Sequence, residues 1–531
     1  MDEYAQYHTI YGVAVQPAGP TQYAHDFMRI EMPFGPAAGP HTQLAQNIAA
    51  AYAGGARFFE LKTVQPIDGT DLVVNKPCIS VPDECYNIEW STELTVQEAF
   101  EEYVKAYFLL AFMAVEFQLG HIDGFSFNMS VGYDLKGIQS EKINTFIDHM
   151  IHAETTTIYQ QCKSYLEQHM EQFTYFTPSY LQQIGGQIAE SLTVSTMHGC
   201  PANEIEQIAS YLIQDKKIPL YIKLNPTLLG YDTVQQILRK KGYGYMQLNE
   251  QQFAEDLHVE DAVPMLKRLQ QEAEQRHQFF GIKLTNTLPV KSQGLLPDEF
   301  MYVSGKPLFL LAIHVAAKLS DACRNIPISF SGGLDEHNLL AMLKTGIFPL
   351  TMTTTVLKAH GYACFSRFSK IFAVKPKYPM VPDSKAIAAL AEQAMTDAYY
   401  QKKDKKSHVK TEKLPLVNCR ACGLCVAVCP NRANRMLPKM GMMSEKRQIV
   451  HIDAYCNECG NCAGFCPYDG KPYRDKFTIF KTMEEFLSSP AMGICHDNGA
   501  QHVRFPDTLD DADENELYAL MKKLAHDSHE I

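Results

Sequence analysis

Between about residue 28 and residue 375 the chain alternates short apolar runs with longer stretches whose apolar positions recur every three or four residues. The short runs predict strands at 30–35, 58–62, 124–131, 192–197, 220–224, 281–285, 327–331 and 349–353. Helical periodicity follows most of them, for example at 43–53, 203–214, 307–323 and 336–344. Alternation of this kind places the chain in the α/β class, with a parallel sheet and helical crossovers. Eight strand–helix units over about 350 residues match a TIM (β/α)8 barrel carrying insertions. An open, doubly wound sheet shares the pattern and stays open at this point. The extra material follows strand two (64–95), follows strand three (155–186) and separates strands five and six (244–278). The most apolar run, 106–115, is about half a bilayer span and is bounded by Lys105 and Glu116, which makes it a buried helix.

The pattern changes after residue 380. A helical stretch at 384–402 leads into the basic linker KKDKKSHVKTEK, a solvated spacer. The expected organisation is a barrel at 1–380, a helix and linker at 381–415, a small α+β domain at 416–470 and an acidic tail at 471–531. The tail carries DTLDDADENE and an apolar-periodic helix at 517–525.

The small domain brings chemistry into the picture. Eight of the fifteen cysteines form two copies of C-x2-C-x2-C-x3-C-P: Cys419, Cys422, Cys425, Cys429-Pro430 and Cys456, Cys459, Cys462, Cys466-Pro467. This is the bacterial spacing for cubane iron–sulfur clusters, in which the fourth cysteine of each motif ligates the other cluster. Cluster one therefore takes Cys419, Cys422, Cys425 and Cys466, and cluster two takes Cys456, Cys459, Cys462 and Cys429. Structural zinc also uses C-x2-C pairs, usually without the trailing proline. A disulfide framework is disfavoured in a chain of 531 residues with no secretory signal. Two [4Fe–4S] clusters imply electron transfer in a reducing cytoplasm.

Composition narrows the partners. A net charge of −12 argues against nucleic acid, whose phosphates need a basic face. The N-terminus MDEYAQYHTI has neither the basic start nor the apolar stretch of a signal peptide, and no segment reads as a membrane span.

In a barrel, reacting groups lie at the carboxyl ends of the strands. Strand one runs into PFGPAAGPHT, where Gly35 and Gly39 would let backbone approach a flat ligand. Strand two ends in Lys62-Thr63, and strand four in STMHGCP, with His198 and Cys200 before a helix. Strand five ends in Lys223-Leu224-Asn225-Pro226, and strand six in Thr285-Asn286-Thr287. Ser331-Gly332-Gly333 after strand seven and Thr353-Thr354 after strand eight suit a phosphate site, with Ser304-Gly305 in the crossover before strand seven. A tight turn is the alternative for the glycine pair. Lysine at a barrel rim needs a negative partner. Lys62 and Lys223 suit either a rim carboxylate or the edge of a flavin that becomes anionic on reduction. Flavin mononucleotide (FMN) satisfies the whole constellation.

At these residues the chain resembles the FMN barrels of dihydroorotate and dihydropyrimidine dehydrogenases: PFGPAAGP, ELKT, the CP after strand four, IKLNP, TNT, VSG and SGG recur in order. The longer strings GPAAGPHTQLAQN, ECYNIEWSTE, NMSVGY, STMHGCP and KLNPTLLGY are similar to a bacterial selenate reductase subunit family related to the latter dehydrogenase. The resemblance implies a barrel of the dihydroorotate dehydrogenase type followed by a ferredoxin domain. It implies FMN contacts from Lys62, Thr63, Lys223, Ser304, Gly305, Gly332, Gly333 and Thr354. Asn286 and Thr287 would hold a planar heterocycle, and Cys200 would donate a proton, with His198 able to share that role. The implied reaction is reduction or oxidation of a CH–CH or C=N bond in a pyrimidine- or purine-like heterocycle.

Two departures limit the transfer. Dehydrogenases of this family carry N-L-S-C-P at strand four, where this chain reads M-H-G-C-P, so Met197 cannot supply the asparagine's hydrogen bond. No strand-linked G-x-G-x-x-G is present, so electrons would pass through a separate FAD and pyridine-nucleotide flavoprotein or a ferredoxin, in a hetero-oligomer. Two other readings stand beside the enzyme: an electron-transfer subunit feeding a terminal reductase such as a molybdenum enzyme, and a ferredoxin module on a degenerate barrel. Cys78 and Cys85, in the strand-two insertion, are read as structural.

Overall fold

The computed structural model describes residues 1–17, 23–25, 27–88, 91–195, 199–372, 381–403, 410–416, 419–437, 447–497 and 500–504. The chain divides into two compact units, Met1–Asn75 with Glu84–Val356 and Tyr362–Asp404, and Lys76–Asp83 with Leu357–Gly361 and Lys405–Ile531.

The first unit is built on β1 (Phe34–Pro36), β2 (Phe58–Glu60), β3 (Ser126–Val131), β4 (Ser191–Ser195), β5 (Leu220–Leu224), β6 (Phe280–Leu284), β7 (Ile328–Phe330) and β8 (Leu350–Met352). Seven match the runs expected from the apolar pattern to within a few residues, while β1 overlaps only the end of the run at 30–35, whose first residue belongs to a separate strand, Met28–Ile30. The eight lie side by side in the order β1-β8-β7-β6-β5-β4-β3-β2 with parallel pairing throughout. Pairing of the first strand with the last excludes the open doubly wound order. Closure is completed between β1 and β2, where Arg57 N donates to Phe34 O at 3.0 Å. A Cβ built on Gly35 would stand 1.7 Å from Phe58 O, so the strands meet only because that residue is glycine. Gly35 thus serves barrel closure, where sequence reasoning assigns it to a flat ligand.

Long crossovers wrap this sheet. The helix Val96–Glu116 opens with a capping box: Thr95 Oγ1 accepts from Glu98 N, and Glu98 Oε2 accepts from Thr95 N at 2.9 Å. It contains the apolar run 106–115, most of which is buried. Among the described residues no helix is long and apolar enough to cross a membrane. One element had no sequence signal. The strands Leu288–Lys291 and Phe300–Ser304 form a hairpin whose second strand pairs with Cys85–Asn87 of the strand-two insertion. That antiparallel pairing brings Ser304 opposite Cys85. The helix Ser384–Thr396 packs against Lys306–Ala322 and belongs to the barrel unit.

The second unit has the sheet order β9 (Asn434–Leu437), β10 (Gln448–Ile452), β11 (Thr478–Phe480), β12 (Gly493–Asp497), β13 (Ala500–Arg504). β10, β11 and β12 run parallel, and β9 and β13 close the edges antiparallel. Val450, Ile452, Phe477, Ile479 and Ile494 form its core. Residues 471–504, read from sequence as the start of a tail, therefore supply three strands of the cluster unit. The acidic run and the helix expected at 517–525 lie outside the described residues.

Candidate functional site

In the barrel unit, the loops after β7 and β8 meet the start of the Lys306–Ala322 helix. Ser304 Oγ and Thr354 Oγ1 are 2.8 Å apart. Gly305 (φ 78°) and Gly333 (φ 65°) both adopt left-handed backbone, and a Cβ on Gly333 would stand 2.1 Å from Gly305 O. Gly332 packs instead on Ala312 of the helix. Asn338 Nδ2 donates to Gly333 O at 3.1 Å and so holds the loop in place. The helix begins without a side-chain cap. Two hydroxyls, glycine backbone and an uncapped helix start make a cradle of the right chemistry for a phosphate. Ser304, Gly305, Gly333 and Thr354 are thus brought together as the sequence expects.

The lysines are placed differently from one another. Lys62 is 2% exposed at the end of β2, and its charge lies near the fully buried His41. Burial first, and then Lys62, lower the His41 imidazole to about 3, so it is neutral. Thr63 Oγ1 lies 2.9 Å from Ser130 Oγ. Lys223 Nζ donates to Glu60 Oε1 at 3.0 Å, and Lys283 Nζ lies 3.1 Å from Glu60 Oε2. Burial alone would raise the Glu60 carboxyl, but the two ammonium groups outweigh it and hold the carboxyl at about 2. A rim carboxylate for Lys223 was one of the two partners foreseen from sequence. Glu60 and Lys283 themselves went unassigned, although charged residues inside apolar strands at 60, 223 and 283 were a readable signal.

At the ends of β4, β5 and β6 a polar chain links several loops. Ser195 Oγ donates to Asn286 Oδ1 at 3.2 Å, and Asn286 Nδ2 donates to Asn225 Oδ1 at 2.8 Å. Asn225 Nδ2 reaches Asp256 Oδ2 at 3.5 Å, and Asp256 Oδ1 accepts from Gly199 N at 2.8 Å. Asp256, from the insertion between β5 and β6, therefore fastens the residue before Cys200. Nothing in its local sequence marks it. Cys200 is buried, and its thiol is pushed up to about 12 by burial first and then by Glu204, with which it hydrogen-bonds. It stays protonated at neutral pH. Thr287 is half-buried. Met197 and His198 lie outside the described residues.

In the second unit, Cys419, Cys422, Cys425 and Cys466 line one cavity. Cys429, Cys456, Cys459 and Cys462 line another. The foursomes cross between the two motifs as the spacing predicts. Among the described residues no three such side chains close on a single-ion position. Cys425 is pushed up to about 12 by burial and then by Cys419, Cys466 and Cys422; Cys456 reaches about 12 by burial and then Cys429. Thiols so crowded ionise only around a cationic centre, which fits iron–sulfur ligation. The second cavity also receives Asn431, Asn434 and His451, and its Cys459 carbonyl accepts from Cys78 N (3.1 Å) and Ile79 N (3.0 Å). The main chain at Cys78 and Ile79 is thus fastened to the loop of the second cavity.

Comparison with known proteins agrees with this division. The family described as "Oxidoreductase YgfK, N-terminal TIM-barrel domain" matches residues 14–402, and a "4Fe-4S dicluster domain" matches residues 418–469. Proteins named "Putative oxidoreductase YgfK" from Escherichia coli K12 and Escherichia coli O157:H7 are each 40% identical over 449 residues, covering 81% of this chain and 43% of theirs. The chain thus spans less than half the length of these curated relatives. Among solved structures, DHODH in complex with ferulenol from Eimeria tenella is similar at a TM-score of 0.40 and 12% identity, over 66% of this chain and 82% of that one.

Proposed function

The chain belongs to the YgfK oxidoreductase family, and from that premise we propose that it is an iron–sulfur flavoprotein passing electrons between two [4Fe–4S] clusters and FMN, at the expense or benefit of a planar, pyrimidine- or purine-like heterocycle. The observation that carries the reading is the sorting of eight cysteines into two four-cysteine cavities. Clusters bound there would exchange single electrons, and FMN would supply two-electron transfer to carbon or nitrogen.

The chain's own residues have definable tasks. Ser304, Thr354, Gly305 and Gly333 would hold the phosphate of FMN, and Lys223 would supply positive charge to the electron-rich edge of the ring. Asn286 orients the heterocycle, with Asn225 and Ser195 fixing its amide. Cys200 holds a proton at its Sγ and donates it as general acid, while Asp256 keeps its loop in register. Electrons enter or leave through a partner that carries FAD and binds a pyridine nucleotide, or through a ferredoxin. A further part of a longer protein could play the same role, since the relatives extend beyond this chain.

The test is anaerobic reconstitution with iron, sulfide and FMN, followed by a screen of pyrimidines, purines and their dihydro forms read by flavin reoxidation. Turnover that collapses in Cys200→Ser while dye-linked electron transfer survives supports the reading. Dye-linked transfer with every heterocycle inert would favour a subunit feeding a separate terminal reductase, of the selenate or molybdenum type. A preparation that binds no FMN would overturn the proposal.

A further inference from the structure

The interior of a TIM barrel is normally filled by branched apolar side chains. Here five strands contribute polar ones to a single layer. In the β5–β6 ladder Lys223 stands opposite Lys283, and in the β6–β7 ladder Lys283 stands opposite Ser329, so register alone puts the three on one face. Glu60 from β2 and Thr351 from β8 complete the layer. The Lys283 ammonium lies 3.1 Å from Glu60 Oε2 and donates to Ser329 Oγ and Thr351 Oγ1, both at 3.0 Å.

The hydroxyl protons fix the direction of these bonds. Ser329 Oγ donates to Pro349 O at 3.0 Å, and Thr351 Oγ1 is 3.4 Å from Glu60 Oε2, which can only accept. Both hydroxyls therefore turn lone pairs toward Lys283. Three acceptors face three ammonium hydrogens, and Lys283 has none left for a ligand. Its side chain is 1% exposed, against 10% for Lys223. Lys223 is the member of the layer within reach of a bound molecule.

We propose that Lys283 is a positioning residue of the flavin site: by occupying Glu60 Oε2 it limits how far that carboxylate neutralises Lys223, and so sets the positive charge presented to the electron-rich edge of the ring. The inference rests on the FMN reading above. It assigns Lys283 no contact with flavin or substrate. Both lysines share one carboxylate across a desolvated layer, where a change of one charge is screened far less than at the surface.

Two substitutions in the full, FMN-loaded chain should act with opposite sign. Lys283→Met hands the whole Glu60 charge to Lys223, and Glu60→Gln removes that charge. Sulfite is the probe. Its sulfur lone pair forms a bond to flavin N5, the electron pair enters the ring, and the negative charge settles on the edge opposite. Affinity for sulfite, read by bleaching of the visible flavin band, should fall about tenfold in Lys283→Met and rise about tenfold in Glu60→Gln. The flavin midpoint potential should move down and up in the same order. Lys283→Arg, which keeps the charge, should stay near the parent. A merely structural layer would weaken both variants alike. Shifts of one sign, or changes under about twofold in both, overturn the inference. Should Lys283→Met fail to retain FMN, Glu60→Gln alone decides, since only the charge argument predicts a gain. A parent protein that binds no FMN sinks the functional reading instead, which separates the two failures.

Discussion

Asp256 offers the sharpest check on how the Cys200 loop is held. Its carboxylate is 3% exposed. Oδ1 accepts from Gly199 N (2.8 Å) and Gln252 Nε2 (3.0 Å), and Oδ2 accepts from Thr227 Oγ1 (2.7 Å) and Asn225 Nδ2 (3.5 Å). Asp256→Ala leaves these donors facing a void. Hydrogen bonds to a charged group are worth about 1.5–3 kcal/mol, and water entering the gap restores part of that. Counting the two shortest bonds, we expect a loss of about 3–4 kcal/mol. Asp256→Asn behaves differently. Its amide oxygen can keep Gly199 N and Gln252 Nε2, while the Thr227 hydroxyl can turn to accept from the new NH2. Only the long Asn225 contact is spoiled, and about 1–2 kcal/mol is expected. The assay pairs thermal unfolding with amide hydrogen exchange. Gly199 is exposed, so protection of its amide reports this bond rather than burial. Exchange at Gly199 should quicken at least tenfold in the alanine variant, since about 1.4 kcal/mol is a factor of ten, and much less in the asparagine variant. Equal exchange in the two variants, or a Gly199 amide indifferent to both, would refute the reasoning.

Three further predictions concern other parts of the molecule. Burial holds the Glu190 carboxyl up at about 7, above an unfolded value near 4.3. Protonated in the fold and ionised when unfolded between those two values, it costs nothing below the lower one and about 3–4 kcal/mol above pH 7. Glu190→Gln should therefore match the parent in melting temperature at pH 4 and exceed it at pH 8; equal melting at pH 8 would contradict this. Gly333→Ala puts a side chain at φ 65° and 2.1 Å from Gly305 O. FMN affinity, read by fluorescence quenching, should drop at least tenfold. Cys466→Ser should halve the iron content of the reconstituted protein. Because its thiol faces Cys419, Cys422 and Cys425, the surviving electron paramagnetic resonance signal should match that of Cys422→Ser and differ from that of Cys459→Ser.

The strand–helix alternation, seven of the eight strand positions and the crossed cysteine sets were determined by the sequence alone. Each rests on local spacing: alternation and apolar runs mark strands, and C-x2-C-x2-C commits three thiols to one loop. The grouping of Ser304, Gly305, Gly333 and Thr354 was legible for the same reason, since each carries a local mark. Only the tertiary structure decided what depends on partners remote in sequence. Barrel closure came from β1 meeting both β8 and β2. The antiparallel sheet joining Cys85–Asn87 to Phe300–Ser304 links the strand-two insertion to the β6–β7 crossover. Glu60 chose Lys223 and Lys283 across the barrel, and Asp256 reached Gly199 from a separate insertion. A carboxylate carries no record in its neighbours of which distant donor it will meet. That choice is made when desolvation forces each buried charge to find a partner, and the folded chain then offers only a few.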